Sequence, residues 1–218
     1  MLLDRRKVKF WQKIVFGFMA FLMAAFLIVG YSGVLNGCTF FNSAKSAQDQ
    51  LQQTITQNKS AVTANPKDAT AWTTLGDNLV LMANQQTQGS GAQKSYWNQA
   101  IVAYKKADAI LAKQKRSVVK QQRLDVLQKL ISTYLYLNDY SGAVTAYGAV
   151  TELNPKDAQS YFDMASVAIN AGDTNTALLA FTKYLELDPK SPDAAQVKAW
   201  IKQNTPKSTS SPSPSPTK

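Results

Sequence analysis

The chain has 218 residues, 45% of them apolar, and a formal charge of +10. That is enough for one domain of moderate size with extensions and a packed core. There is no histidine and a single cysteine, Cys38, which excludes an internal disulfide, a His- or Cys-based metal centre and a His-dependent catalytic triad. The surplus charge raises nucleic acid or an anionic membrane as partners, and its location decides between them.

Residues 1–13 form a basic segment, with Arg5, Arg6, Lys7, Lys9 and Lys13 against Asp4. Residues 14–35, "IVFGFMAFLMAAFLIVGYSGVL", contain no charge. As a helix rising about 1.5 Å per residue they span roughly 33 Å, enough to cross the hydrocarbon core. The apolar part of a cleaved secretory peptide is shorter, about 7–15 residues, and carries an A-x-A-like site that is missing here. The expectation is therefore a single-pass transmembrane helix acting as a signal-anchor. The basic flank places the N-terminus in the cytoplasm and everything after Leu35 outside the cell membrane. Phe10 and Trp11 on one side, and Tyr31, Phe40 and Phe41 on the other, suit the two aromatic belts.

Residues 36–43 read as a linker. Within it, Leu35-Asn36-Gly37-Cys38 resembles the lipobox of bacterial lipoproteins, except that Asn36 stands where a small or apolar residue is usual. Two readings of Cys38 follow, a lipidated residue or a lone thiol able to link two chains into a homo-oligomer. Either way the rest of the chain is tethered outside.

Residues 44–204 are predicted to be all-α. Ser43 to Ala64 is a Gln-rich helix candidate with Leu51, Ile55 and Val62 as its sparse apolar face, ended by Pro66. The stretch "NPKDA" at Asn65 returns at Asn154, 89 positions later, and "DPKSP" echoes it at Asp188. A shorter period of 34 underlies the echo: it separates Ala143 from Ala177, Tyr147 from Phe181, Glu152 from Glu186, Leu153 from Leu187 and Pro155 from Pro189. Leu127, Leu130 and Tyr134 fall at i, i+3 and i+7, one face of a helix. Tyr161, Met164 and Ala168 repeat that spacing. Asn138 and Gly172 occupy turns where a left-handed residue ends a helix, and Asp139 and Asp173 follow as N-caps.

The period and its Ala, aromatic and Pro landmarks resemble the tetratricopeptide repeat, a stack of antiparallel helix pairs. The resemblance covers roughly residues 69–190. It implies a short helical solenoid of about three helix-turn-helix units with flanking capping helices, in which Ala143 and Ala177 sit where paired helices come closest. Trp72, Leu75 and Gly76 open the first pair, and Ala100, Tyr104 and Ala107 close it. Against the family's spacing this pair holds 12 extra residues around "NQQTQGSGAQKS", read as an enlarged turn. Nine more in "LAKQKRSVVKQQR" are read as lengthening its second helix. After Pro189, "SPDAAQVKAWIKQN" supplies a polar C-terminal cap that Pro206 stops. Residues 205–218 are a Ser/Pro-rich tail with nothing to bury, expected to be disordered.

The resemblance also implies a concave groove lined by the first helix of each pair, here Thr73 and Asp77, then Gln128, Ser132 and Tyr136, then Phe162, Ser166 and Asn170. Family members that grip carboxylate tails of chaperones use a Lys/Asn/Arg constellation. The corresponding places hold Thr73, Asp77, Lys129, Gln159 and Asp163, so that pattern is absent. The implied ligand is a peptide or segment of another cell-envelope protein. The basic run Lys105, Lys106, Lys113, Lys115, Arg116, Lys120, Arg123 and Lys129 faces only Asp108 and Asp125. It suits an anionic lipid or wall polymer, or is a solvated helix face. Its predicted place outside the cell argues against nucleic acid. No catalytic constellation, cofactor motif or metal-ligand spacing is present in the sequence. The reading is a membrane-anchored, outward-facing scaffold or adaptor of a bacterial cell envelope, not an enzyme. The alternative is a lipoprotein or spacer without a peptide ligand that stabilises a larger membrane complex.

Overall fold

The computed structural model of the chain describes residues 39–114 and 117–206. The apolar segment 14–35, Cys38, Lys115, Arg116 and the tail from 207 lie outside the described residues. Among those described, no helix is long and apolar enough to cross a membrane. The chain divides into two compact units, Met1–Gln50 and Leu51–Lys218. The described part of the first, 39–50, is helical throughout.

Eight helices run through the described residues: α1 Thr39–Ala64, α2 Ala69–Asn84, α3 Gly91–Leu111, α4 Ser117–Tyr136, α5 Tyr140–Leu153, α6 Ala158–Asn170, α7 Thr174–Leu187 and α8 Ala194–Asn204. No strand occurs among them. Each helix from α2 onward packs on the next. Short turns join packed neighbours, so the helices alternate in direction and form three hairpins, α2–α3, α4–α5 and α6–α7. The C-terminal part of α1 lies along α3, where Tyr96 donates to Gln52 (3.4 Å) and Lys59 to Gln99 (3.1 Å). Ile55 and Val62 of α1 are buried there and Leu51 is partly so, the apolar face expected of it. Residues 39–43 of the predicted linker 36–43 are helical and belong to α1.

The local signals act as their chemistry requires. Asp68, Asp139 and Asp173 each accept the backbone N–H three residues on, from Ala71, Gly142 and Thr176, satisfying donors that a helix start leaves open. Asn138 and Gly172 hold left-handed φ of 56° and 74°. The chain thereby turns so that Asp139 N–H reaches the Tyr134 carbonyl and Asp173 N–H that of Ala168, both at 2.9 Å. Ala143 and Ala177 are fully buried, as the close approach of paired helices demands. Gly76 is needed for the same reason, since a Cβ there would come within 2.5 Å of the Tyr104 ring.

The extra residues went elsewhere than expected. Gly91–Tyr96 are helical, so most of the 12 inserted residues extend α3 at its start and α2 at its end. Only Gln85–Ser90 remain as the enlarged turn. The nine further residues do not lengthen the second helix of the first hairpin, because α3 stops at Leu111. They extend α4 backward to Ser117, seven residues ahead of Leu124, the counterpart of Ala158. The break falls at Ala112–Gln114, where the Gln114 N–H bonds back to the Leu111 carbonyl (2.9 Å) and ends the helix.

Candidate functional site

Placed in register by the period of 34 and the separation of 89, the places expected to line a groove fall into three rows on the first helices of the hairpins. Thr73, Gln128 and Phe162 form one row, Asp77, Ser132 and Ser166 the second, and Leu81, Tyr136 and Asn170 the third. Small polar side chains in these rows bond their own helices. Thr73 donates to the Ala69 carbonyl, Ser132 to that of Gln128, Ser166 to that of Phe162, and Asn170 to that of Ser166, at 2.8–3.1 Å. Their donors are thus turned to the backbone, and what remains at these places is apolar, charged or, at Gln128, an exposed amide.

Between α2 and α4 lies an open hollow of about 370 Å³ whose wall includes Asp77, Val80, Leu81, Gln128, Ser132 and Tyr136. Four of the expected groove residues meet there. Its floor is polar: Tyr104 donates its hydroxyl to Asp77 at 2.8 Å, and the Lys129 ammonium approaches both Asp77 oxygens at 2.6 Å. Burial, and next the Asp77 carboxylate beside it, push the Tyr104 hydroxyl far above its ordinary pKa, so it remains a donor. The ion pair stays accessible, its side chains 41% and 39% exposed. Above this floor stand Leu81 and Tyr136, 53% and 54% exposed. The Tyr136 ring is stacked on Trp97 of α3, centroids 5.5 Å apart, so it is presented to solvent in a held orientation.

Thr73 belongs to a neighbouring hollow of about 250 Å³, with Leu111, Gln122 and Asp125. Lys129 lines both hollows. Phe162 and Ser166 are not part of either. They line a separate hollow of about 240 Å³ under α8, with Ile169, Val197 and Trp200. Here the Phe162 ring packs 5.7 Å from Phe181 and 5.1 Å from Tyr184, and Trp200 of α8 meets Phe181 edge-on at 5.2 Å. A peptide binder is expected to expose Tyr136 and Phe162 together and a spacer to bury or scatter them; the two are separated here, one open and the other half-buried in an aromatic cluster.

Leu81, Val80 and Tyr104 were not among the predicted groove residues. The signal for Leu81 was available, because it precedes Asn170 by the same 89 positions that separate the two "NPKDA" motifs. Of the basic run, Arg123 is paired with Asp108 (2.6 Å) and Lys120 donates to Asn154 (3.3 Å). Lys105, Lys106 and Lys113 are exposed.

A tetratricopeptide repeat family model matches residues 129–192. No curated protein sequence matches the chain. Among solved structures, one of MamA is 18% identical over 73% of this chain and 85% of that one, with a TM-score of 0.43. MamA from Desulfovibrio magneticus RS-1 is 12% identical over 76% and 91%, at 0.40. A chain of the APC/C hetero-tetramer Cut9–Hcn1 is 12% identical over 72% and 40%, at 0.38. Over residues 129–192, from the end of α4 through α7, the chain is thus similar to the tetratricopeptide repeat that its alanine, aromatic and proline landmarks implied.

Proposed function

We propose that this protein is a scaffold that binds a segment of another protein in the hollow between α2 and α4. Segment 14–35 then holds it at the cell membrane with the helical array outside. The observation that carries the binding reading is the pair of exposed apolar groups, Leu81 and Tyr136, above the Asp77–Lys129–Tyr104 floor. Exposed aromatic and aliphatic side chains around a few fixed polar groups are what a peptide groove requires. A solvated helix face has no need to hold Tyr136 flat against Trp97. The anchoring reading rests on the uncharged run and its basic flank.

One experiment addresses both. A photo-crosslinking amino acid is placed at position 81, 136 or, as a control on the outer face, 102 of the full chain. Cells are irradiated intact and membranes washed at high pH. Protein adducts from positions 81 and 136 but not 102, retained in the washed membranes, are expected. Adducts from 102 alone would sink the groove, and loss of the chain in the wash would sink the integral anchor. The spacer reading draws on the α6–α8 region, where Phe162 serves packing; it would be favoured by the absence of adducts at every position.

A further inference from the structure

Because the helices alternate in direction, the turns fall on two opposite edges of the array. The turns within hairpins, Gln85–Ser90, Leu137–Asp139 and Ala171–Asp173, contain no basic residue and carry Asp139 and Asp173. Those between hairpins each contain a lysine: Lys67 after α1, Lys113 after α3, Lys156 after α5 and Lys190 after α7. All four are exposed, and none of their ammonium groups makes an ion pair or hydrogen bond among the described residues. Two contacts show that these turns lie side by side. Ala69 and Thr70 at the start of α2 share a hollow with Leu111 at the end of α3. Lys120, in the first turn of α4, donates to Asn154 in the turn after α5.

The carboxylates of this edge are mostly engaged with helix starts. Asp68 caps α2 through the Ala71 N–H, and Asp157 accepts from the Ser160 hydroxyl at 2.5 Å. The Asp68 carboxylate is partly balanced by the positive end of the helix it caps, whereas Asp157 makes no side-chain bond to a backbone N–H of α6. Asp188 and Asp193 flank Lys190 and cancel it locally. A row of exposed ammonium groups therefore runs from Lys67 through Lys113 and Lys120 to Lys156, with one carboxylate beside each end of it, Asp68 and Asp157.

We infer that this lysine edge binds a linear, phosphate-bearing polyanion. Repetition of the charge once per hairpin makes a row, and a flexible chain of charges can follow a row. Lysine supplies compact point charges of the kind that meet phosphate without a fixed planar geometry. Towards a bilayer surface this edge offers charge alone, without the apolar groups on which peripheral attachment also draws. The exposed large apolar side chains, Leu81, Val102, Tyr136, Ile169 and Leu179, all lie away from these turns. Base stacking is disfavoured: Trp72 and Tyr161, at matching places near this edge, are half-buried, and the Trp72 Nε1–H is bonded to the Pro66 carbonyl at 3.1 Å.

The test uses the full chain in zwitterionic nanodiscs, titrated with inorganic polyphosphate over a range of salt concentrations. Lys67→Gln/Lys113→Gln/Lys156→Gln is compared with Lys94→Gln/Lys198→Gln/Lys202→Gln. The second set removes the same charge from exposed positions away from the lysine row. Each set leaves the basic residues before the apolar segment in place, so their contribution cancels. The edge set should flatten the dependence of log affinity on log salt by roughly two, about 0.7 per lost phosphate contact on a flexible strand. The control set should change it by less than about 0.5. Equal flattening by both sets would reduce the effect to net charge and overturn the assignment. So would failure to bind polyphosphate, or lysine-dependent binding of phosphatidylglycerol vesicles without polyphosphate binding.

Discussion

The first and last hairpins are built on one plan, yet their groove faces do opposite things. In α2–α3 the bulky ring of the second helix is Tyr104, over Gly76, and its hydroxyl meets Asp77. In α6–α7 the matching ring is Phe181 and the position of Asp77 is held by Ser166, so there is neither donor nor charge to pair. The first row follows suit, with Thr73 in the first hairpin and Phe162 in the last. A polar floor leaves the apolar Leu81 and Tyr136 standing clear of it, whereas an aromatic floor draws Phe162 down into packing and is covered by Trp200 of α8. The difference teaches that a groove position in such an array is free for a ligand only where the hairpin beneath is already satisfied without it.

The sharpest way to break this comparison is to truncate one aromatic in each region. Phe162→Ala should cost roughly 2–3 kcal/mol, somewhat below the 3–5 of a fully buried phenylalanine. Tyr136→Ala should stay within about 1 kcal/mol, since it loses mainly a ring contact with Trp97. Denaturant unfolding of the two variants decides it, and equal costs would mean that Tyr136 is a core residue rather than a presented one.

A smaller effect tests the polar floor. Tyr104→Phe, Asp77→Ser and the double variant, which copies the last hairpin's pair into the first, form a cycle. The hydroxyl–carboxylate bond should appear as a coupling of about 1–2 kcal/mol. Additive costs would leave Lys129 as the only group that positions Asp77.

The smallest effect concerns a charge at the third hairpin. Asp163 matches Lys129 by the period of 34, but no cation pairs with it among the described residues. Burial raises its pKa above the ordinary carboxylate value, partly offset by the Gln159 amide that donates to it at 2.8 Å. A carboxyl whose folded pKa is raised favours the folded state at pH below its unfolded value. That contribution disappears as pH rises through the folded value. Asp163→Asn should therefore raise the melting temperature at pH 7 and lose that advantage at pH 3. A lower melting temperature at pH 7 would show that the carboxylate is used in its charged form.

Much of this architecture was legible from residues alone, because the informative positions act locally or at a fixed period. Asp68, Asp139 and Asp173 cap the helices they precede, and Asn138 and Gly172 adopt the left-handed backbone that ends one. Ala143 and Ala177 are buried where the period placed them. The inserted residues were misread for a physical reason. Gly91 and Ser90 signal a turn, but Ser90 acts as the N-cap of α3 and accepts the Gln93 N–H at 3.1 Å, so the residues after it join the helix. In "LAKQKRSVVKQQR" no proline or glycine marks the break, and Val119 is buried on the far side of it. Packing of that valine supports the α4 extension more than any local preference does.

The sequence by itself determined the helical period, the hairpin boundaries and which small and aromatic residues lie between helices, since caps, turns and spacing depend on neighbours along the chain. Only the tertiary structure decided which groove residues stand together. The Asp77–Tyr104–Lys129 cluster joins three helices across separations of 27 and 52 residues, and no periodicity encodes it. Nor could spacing tell that Phe162 is held in packing while Tyr136 is not, because that depends on what α8 and Trp97 place beside them.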